Sequence, residues 1–146
     1  MELTGTRTIQ ASRETVWAKL NDPEVLKACI PGCEELTGNA EDGYEAVVKQ
    51  KVGPVRATFK GQVTLTENTP LESYTLAGEG KGGVAGFAKG SADLTLSEVA
   101  EGTELSYTAD IAVGGKLAQL GNRLISGFAR SMTDTFFDRF KDHVEA

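Results

Sequence analysis

Apolar and polar positions alternate from the start of the chain. Leu3, Gly5, Arg7 and Ile9 fall on one face of an extended segment and Thr4, Thr6, Thr8 and Gln10 on the other, the period of a half-buried strand. Ser12 then stands as a helix N-cap before residues 13–20, where Val16, Trp17 and Leu20 share a helical face. Asp22-Pro23-Glu24 repeats that signal, a cap followed by proline at the first helical position, and Pro31-Gly32 stops the second short helix.

Downstream the alternation returns and persists. It runs through Tyr44, Ala46 and Val48, then through Val55, Ala57, Phe59, Val63 and Leu65, then through Tyr74 and Leu76. It continues in Ala92, Leu94 and Leu96, and in Leu105, Tyr107, Ala109, Ile111 and Val113. The breaks carry turn chemistry: Glu41-Asp42-Gly43, Val52-Gly53-Pro54-Val55, Asn68-Thr69-Pro70, Gly82-Gly83 and Glu101-Gly102. These turns predict an antiparallel meander of about six strands after the short helices, left through Gly114-Gly115.

No proline occurs from Lys116 to about His143, and Leu117, Leu120, Leu124, Ile125, Phe128, Met132 and Phe136 recur at helical spacing. This predicts one long amphipathic helix beginning at Lys116. The sheet and this helix each present one apolar face and must cover each other. The expected fold is therefore α+β, a helix-grip arrangement with a curved antiparallel sheet wrapped around a long C-terminal helix, in a single domain over residues 1–146.

Composition narrows the function. Among 146 residues, 15 are basic and 21 acidic, for a net charge of −6, and 40% are hydrophobic. That composition excludes a disordered chain. The acidic balance argues against a nucleic-acid partner, whose phosphates would call for clustered Lys and Arg. No apolar run approaches the ~20 residues of a membrane span, and the first residues show no basic-then-apolar leader, so a cytoplasmic protein is expected. Cys29 and Cys33 read as structural thiols in a reducing compartment, and the sole histidine, His143, lies far from them, so no metal site and no cofactor are expected.

No catalytic constellation is legible, and no catalytic residue is assigned. With one histidine, neither a Ser-His-Asp nor a Cys-His arrangement can be assembled near the middle of the chain. Arg7, Tyr44, Gln50, Tyr74 and Tyr107 are the inward polar candidates, read as core residues with satisfied polar tips, and Arg7 and Tyr107 are the two that an enzymatic role would use. Lys49, Lys51, Arg56 and Lys60 fall on the outer face of one hairpin and read as a solvated surface. Gly78-Glu79-Gly80-Lys81-Gly82-Gly83 matches the dinucleotide spacing G-x-G-x-x-G, but a strand pattern follows it where that fingerprint needs a helix. Its glycines either thin the inner face of the sheet or fill turns, and the sequence leaves both readings open.

The element order, together with Asn21-Asp22-Pro23-Glu24, the turn Cys29-Ile30-Pro31-Gly32-Cys33-Glu34 and the glycine-rich stretch from Gly78 to Gly90, resembles the carbon monoxide dehydrogenase G-subunit family of the START-like (SRPBCC) superfamily. The resemblance spans essentially the whole chain. It implies an apolar cavity, an accessory role beside a molybdenum-containing dehydrogenase, and peripheral contact with the inner face of the cell membrane, where quinones accept electrons. On that basis the expected function is non-catalytic binding of an apolar small molecule, a quinone or a lipid. A cyclase- or aromatase-like enzyme and a ligand-free protein adaptor are the alternatives.

The expected cavity lining is Val48, Phe59, Val63, Leu76, Tyr107, Ile111, Leu120, Leu124, Phe128 and Met132. Because meander turns alternate between sheet ends, the glycine- and proline-rich loops converge on one end. The entrance is expected there, rimmed by Pro31, Gly32, Pro54, Val55, Gly83, Val84, Phe87 and Leu117.

Overall fold

A computed structural model describes residues 1–145; Ala146 lies outside them. The elements run β1 (Glu2–Ile9), α1 (Arg13–Leu20), α2 (Pro23–Cys29), β2 (Cys33–Asn39), β3 (Gly43–Val52), β4 (Val55–Thr69), β5 (Ser73–Lys81), β6 (Phe87–Val99), β7 (Gly102–Gly114) and α3 (Asn122–Glu145). Two 3-10 turns, Gly83–Ala85 and Gly115–Leu120, join β5 to β6 and β7 to α3. The fold is α+β. No helix among the described residues is long and apolar enough to cross a membrane.

The caps act as their side chains dictate. Ser12 accepts a hydrogen bond from the Thr15 amide and Asp22 from the Glu24 amide, satisfying donors that a helix start leaves free. The seven strands form one antiparallel sheet in the order β1-β7-β6-β5-β4-β3-β2. Six of them make the meander, and β1 docks on β7, with Leu3 opposite Ala109 and Ile9 opposite Thr103.

Two packed clusters join the sheet to the helices. The larger gathers Ile9, Leu96 and Leu105 from the sheet, Val16 and Leu20 from α1, Cys29 from α2, and Phe137, Phe140 and Val144 from α3. The smaller lies at the glycine- and proline-rich end and combines Val52, Leu117 and Ile125 with half-buried Val55, Phe59, Val113, Leu120 and Phe128.

The expected single helix from Lys116 is corrected to a 3-10 turn followed by α3 from Asn122. Gly121 separates them with φ +88°, a left-handed value that glycine adopts without strain and that ends one helical segment before the next begins. The apolar stripe also shifts. Successive helical residues are ~100° apart, so at the edge of the stripe one of a pair can face the core and the other turn away; Ile125 is buried and Leu124 is 38% exposed. The C-terminal half of the stripe is carried by Phe137, Phe140 and Val144.

Leu117, expected on an exposed rim, is 3% exposed, because the 3-10 turn aims it at Val52 and Ile125. Leu117→Ala is therefore expected to cost about 2–5 kcal/mol in urea denaturation, the usual range for removing a core leucine. Val84→Asp, at a site 85% exposed, should change stability by less than about 0.5 kcal/mol. Equal, small effects at both positions would contradict the placement of Leu117.

Candidate functional site

Between the two clusters the inner face of the sheet sets alanines and glycines among its larger side chains. Strand register sets them in rows. Leu65, Leu76, Ala92, Ala109 and Leu3 stand side by side across β4, β5, β6, β7 and β1. The next row is Tyr44, Val63, Gly78, Gly90 and Ile111, and beyond it come Ala46, Gly61, Gly80, Ala88 and Val113. Gly78, Gly80 and Gly90 thus thin the floor from within strands, whereas Gly82 and Gly83 lie at the turn between β5 and β6. Both readings left open by the sequence apply, at different glycines.

Above this floor is a cavity of about 320 Å³. Its roof comes from Thr133, Phe136 and Phe137 of α3, and its side from Leu20 and Asn21 at the end of α1, Leu26 and Ile30 around α2, and Leu36 of β2. Tyr74, Leu94 and Tyr107 close it toward the larger cluster. The wall is almost wholly hydrocarbon, and no Asp, Glu, Lys, Arg or His side chain among the described residues stands on it.

Aromatic packing holds the roof. Tyr107 stacks on Phe137 with ring centroids 5.4 Å apart, and Phe136 meets Phe137 edge-on at 5.1 Å. Tyr107 can lie across β1 because Gly5 opposite it has no side chain; a Cβ there would come within 2.6 Å of the ring carbon Cζ. Outside this stack the Arg7 guanidinium lies 5.3 Å from the Phe137 centroid and donates to Asp134 at 2.6 Å. Arg7 is thereby committed to the helix and is not a wall residue.

The polar groups on the wall are few. Tyr44 donates its hydroxyl to the Asn21 carbonyl at 2.7 Å, Asn21 Nδ2 donates to the Trp17 carbonyl at 2.9 Å, and Thr133 Oγ1 donates to the Ala129 carbonyl at 2.8 Å. Burial pushes the Tyr74 phenol far above its ordinary value, with the neighbouring Tyr44 adding to the effect, and burial likewise raises Tyr44. Both thiols are free. Burial raises Cys29 against the opposing pull of Arg139, and it raises Cys33 too. Among the described residues no group of three metal-ligating side chains converges.

Of the residues expected to line a cavity, Val63, Leu76, Tyr107 and Ile111 stand on this wall. Val48, Phe59, Leu120, Leu124, Phe128 and Met132 do not. Phe59, Leu120 and Phe128 pack in the smaller cluster, and Leu124 is partly exposed beside the turn at Gly53. The physical reason is the shifted start of α3, which brings its first turns to the smaller cluster and leaves Thr133, Phe136 and Phe137 over the floor.

The expected rim fares similarly. None of Pro31, Gly32, Pro54, Val55, Gly83, Val84, Phe87 and Leu117 lines the cavity, because the smaller cluster is interposed at that end of the sheet. Gln50, another inward candidate, donates to the Pro31 carbonyl and ties that loop to β3. Sequence reasoning passed over the α2 side, Asn21, Leu26, Ile30 and Leu36. Its one signal was the pair of apolar residues after the Pro23 start, Val25 and Leu26.

A family model for the carbon monoxide dehydrogenase G subunit (CoxG) matches residues 5–145, nearly the whole chain. The chain belongs to the CoxG family. No curated protein matches it. Among solved structures, a conserved protein from Geobacillus kaustophilus is 30% identical, with a TM-score of 0.91 over 99% of this chain and 95% of that one. A protein from Rhizobium leguminosarum is 16% identical with a TM-score of 0.76 over 99% and 94% of the two chains. One from Chromobacterium violaceum is 15% identical with a TM-score of 0.72 over 99% and 98%. These last two establish a shared fold alone.

The two buried phenols make a test of the site by pH. The folded chain holds their protons to higher pH than the unfolded chain does, so their contribution is complete below pH 10, the ordinary phenol value, and is lost as pH rises past it. Urea stability is expected to fall as pH rises through about 10 and beyond, and to fall less steeply in Tyr74→Phe. An identical slope in the variant would show that Tyr74 is not shielded as described.

Proposed function

We propose that the protein is a non-catalytic accessory of a molybdenum-containing dehydrogenase of the carbon monoxide dehydrogenase type, and that it holds an apolar small molecule, a quinone or a lipid-like chain, in the cavity between sheet and helix. Membership of the CoxG family, described by its place in carbon monoxide dehydrogenase, supports the partner. The observation that carries the ligand reading is the cavity itself: about 320 Å³ with a hydrocarbon wall, at the lower end of the volumes small-molecule sites occupy. A core that only supported the fold would gain stability by filling such a space.

The cyclase-like alternative draws less support. It needs an inward group to polarise a carbonyl; of its two candidates Arg7 is taken up by Asp134, while Tyr107 stands on the wall, stacked on Phe137. Among the described residues no Asp, Glu, Lys, Arg, His or Cys side chain stands on the wall, so the reading assigns the protein carriage or presentation of a molecule and leaves the electron chemistry to the partner enzyme. Contact with the inner face of the membrane, from which an apolar molecule of this kind would be drawn, belongs to the same proposal.

Ala92 stands at the centre of the floor, between Leu76 and Ala109. Ala92→Phe should fill the cavity and lower affinity for the neutral probe N-phenyl-1-naphthylamine at least tenfold, with circular dichroism unchanged. Native mass spectrometry of the protein from its own host should show a co-purifying neutral molecule in the wild type and none in the variant. Undiminished probe binding by a folded Ala92→Phe would place the ligand elsewhere, and an absence of any bound molecule or probe would favour the adaptor.

A further inference from the structure

We infer that the glycine- and proline-rich end of the molecule is the face it lays on an anionic lipid bilayer, with the turn between β5 and β6 entering the interface and the surrounding Lys and Arg meeting headgroup phosphates; this rests on the membrane contact in the reading above and supplies its face and its lipid charge. Charge distribution is the first observation. Residues 46–66, 80–92 and 111–133 contain none of the chain's 21 acidic residues and hold nine of its 15 Lys and Arg. They are the strand arms and the connection that meet at this end, around Gly53-Pro54 and the 3-10 turns Gly83–Ala85 and Gly115–Leu120. The turns at the opposite end carry Glu41, Asp42, Glu72 and Glu101. A chain of net charge −6 is thus polarised along its strands, with its basic end set apart.

The basic groups are placed against the interest of the sheet. Lys51 stands directly opposite Arg56 across β3 and β4, and Lys60 directly opposite Lys81 across β4 and β5. Like charges that face each other across a sheet destabilise it. All four are exposed, as are Lys116 and Arg123, and none of the six forms an ion pair among the described residues. An anionic surface relieves a repulsion that the fold leaves in place.

Apolar side chains stand among these cations. Val84 is 85% exposed on the 3-10 turn, while its neighbour Ala85 is buried and fastens that turn to the molecule. A Cβ on Gly83 would meet nothing within 4 Å, so the tip stands clear of the rest. Phe87 lies over Gly114 and Leu124 beside Gly53, both at this end. Three of the four large apolar side chains exposed among the described residues therefore gather here, the fourth being Met1. Binding at the surface of an anionic membrane draws on this pair of features, hydrocarbon that enters below the headgroups and cations that meet their charge. An acidic protein face would answer the cations but would also need a hollow shaped for the projecting Val84, which a fluid bilayer supplies anywhere. The acidic end does not oppose this docking. β6 has 13 residues, roughly 43 Å at about 3.3 Å per residue, several times the ~8 Å over which charge is screened at physiological salt.

The test floats the full chain with vesicles of phosphatidylcholine alone and of phosphatidylcholine with 30% phosphatidylglycerol. The anionic vesicles should bind about tenfold more tightly or better, and 0.5 M NaCl should remove the difference. Val84→Trp should add a blue-shifted emission on the anionic vesicles. Lys51→Glu combined with Arg56→Glu should lower affinity for them about tenfold or more, whereas Arg139→Glu combined with Lys141→Glu, the same change of charge near the far end of α3, should lower it less than about threefold; circular dichroism checks that each variant is folded. Equal losses in the two double variants would show attraction by net charge alone. Unchanged affinity in Lys51→Glu with Arg56→Glu, or an unshifted Val84→Trp, would place the contact elsewhere. Each of these results overturns the face and leaves membrane contact standing, and equal binding of both vesicles would overturn the requirement for anionic lipid. A wild type that binds neither vesicle would overturn the membrane contact itself and leave this face to an acidic protein surface.

Discussion

Phe140 has no exposed surface and shares one packed cluster with Ile9 and Leu105 of the sheet and with Val16 and Cys29 of the two short helices. Some four turns earlier in the same helix, roughly 22 Å away at about 1.5 Å per residue, Ile125 packs with Val52 and Leu117 in the second cluster. The final helix is therefore fastened near its two ends. Between them the middle of the sheet mixes Val63, Leu65, Leu76 and Ile111 with alanines and with Gly61, Gly78, Gly80 and Gly90, and space is left beneath α3. The cavity is what remains between two well-packed ends of a helix that spans a surface wider than its own apolar stripe.

Such an arrangement sacrifices stability locally. Interiors are packed as densely as organic crystals, and an unfilled space forfeits contacts on every atom that lines it. The chain keeps the loss tolerable by making the rest of the wall stiff. Tyr107 and Phe137 stack, Phe136 buttresses them, and Arg7 closes over the outside of the pair while holding Asp134. The ion pair is exposed and by itself worth little, but it ties the first strand to the middle of the helix at the place where packing is thinnest.

The distribution of polarity follows from the same geometry. Alternation along each strand sends charge outward, so Lys60, Glu79 and Lys89 occupy the exposed face while Gly61, Gly80 and Gly90 lie on the inner one. The few polar side chains on the wall are Asn21, where α1 ends, the tyrosines and Thr133; Asn21, Tyr44 and Thr133 each donate to a backbone carbonyl. The chain belongs to the CoxG family, and the wall of its cavity is almost wholly hydrocarbon.

Local rules made much of this legible in advance. Two caps, the proline at the start of α2, the period-two alternation and the glycine-bearing turns are short-range effects, each decided within a few residues, and they specify the helices, the meander and which side of each strand faces inward. The Cys-Ile-Pro-Gly-Cys-Glu turn pointed to the family. Val63, Leu76, Tyr107 and Ile111 could be assigned to the wall because strand alternation alone sends them inward. What local pattern leaves undetermined is phase and depth. Helical spacing admits both Leu124 and Ile125 to a stripe, and only the break at Gly121, with Leu117 drawn into the core, selects Ile125 and carries the stripe on to Phe137, Phe140 and Val144. The same choice decides that the glycine and proline loops end on a packed cluster and that the cavity lies against α2, beside Asn21. Those outcomes depend on contacts between residues more than a hundred positions apart, such as Arg7 with Asp134 and Gln10 with Glu145, and tertiary packing alone brings such residues together.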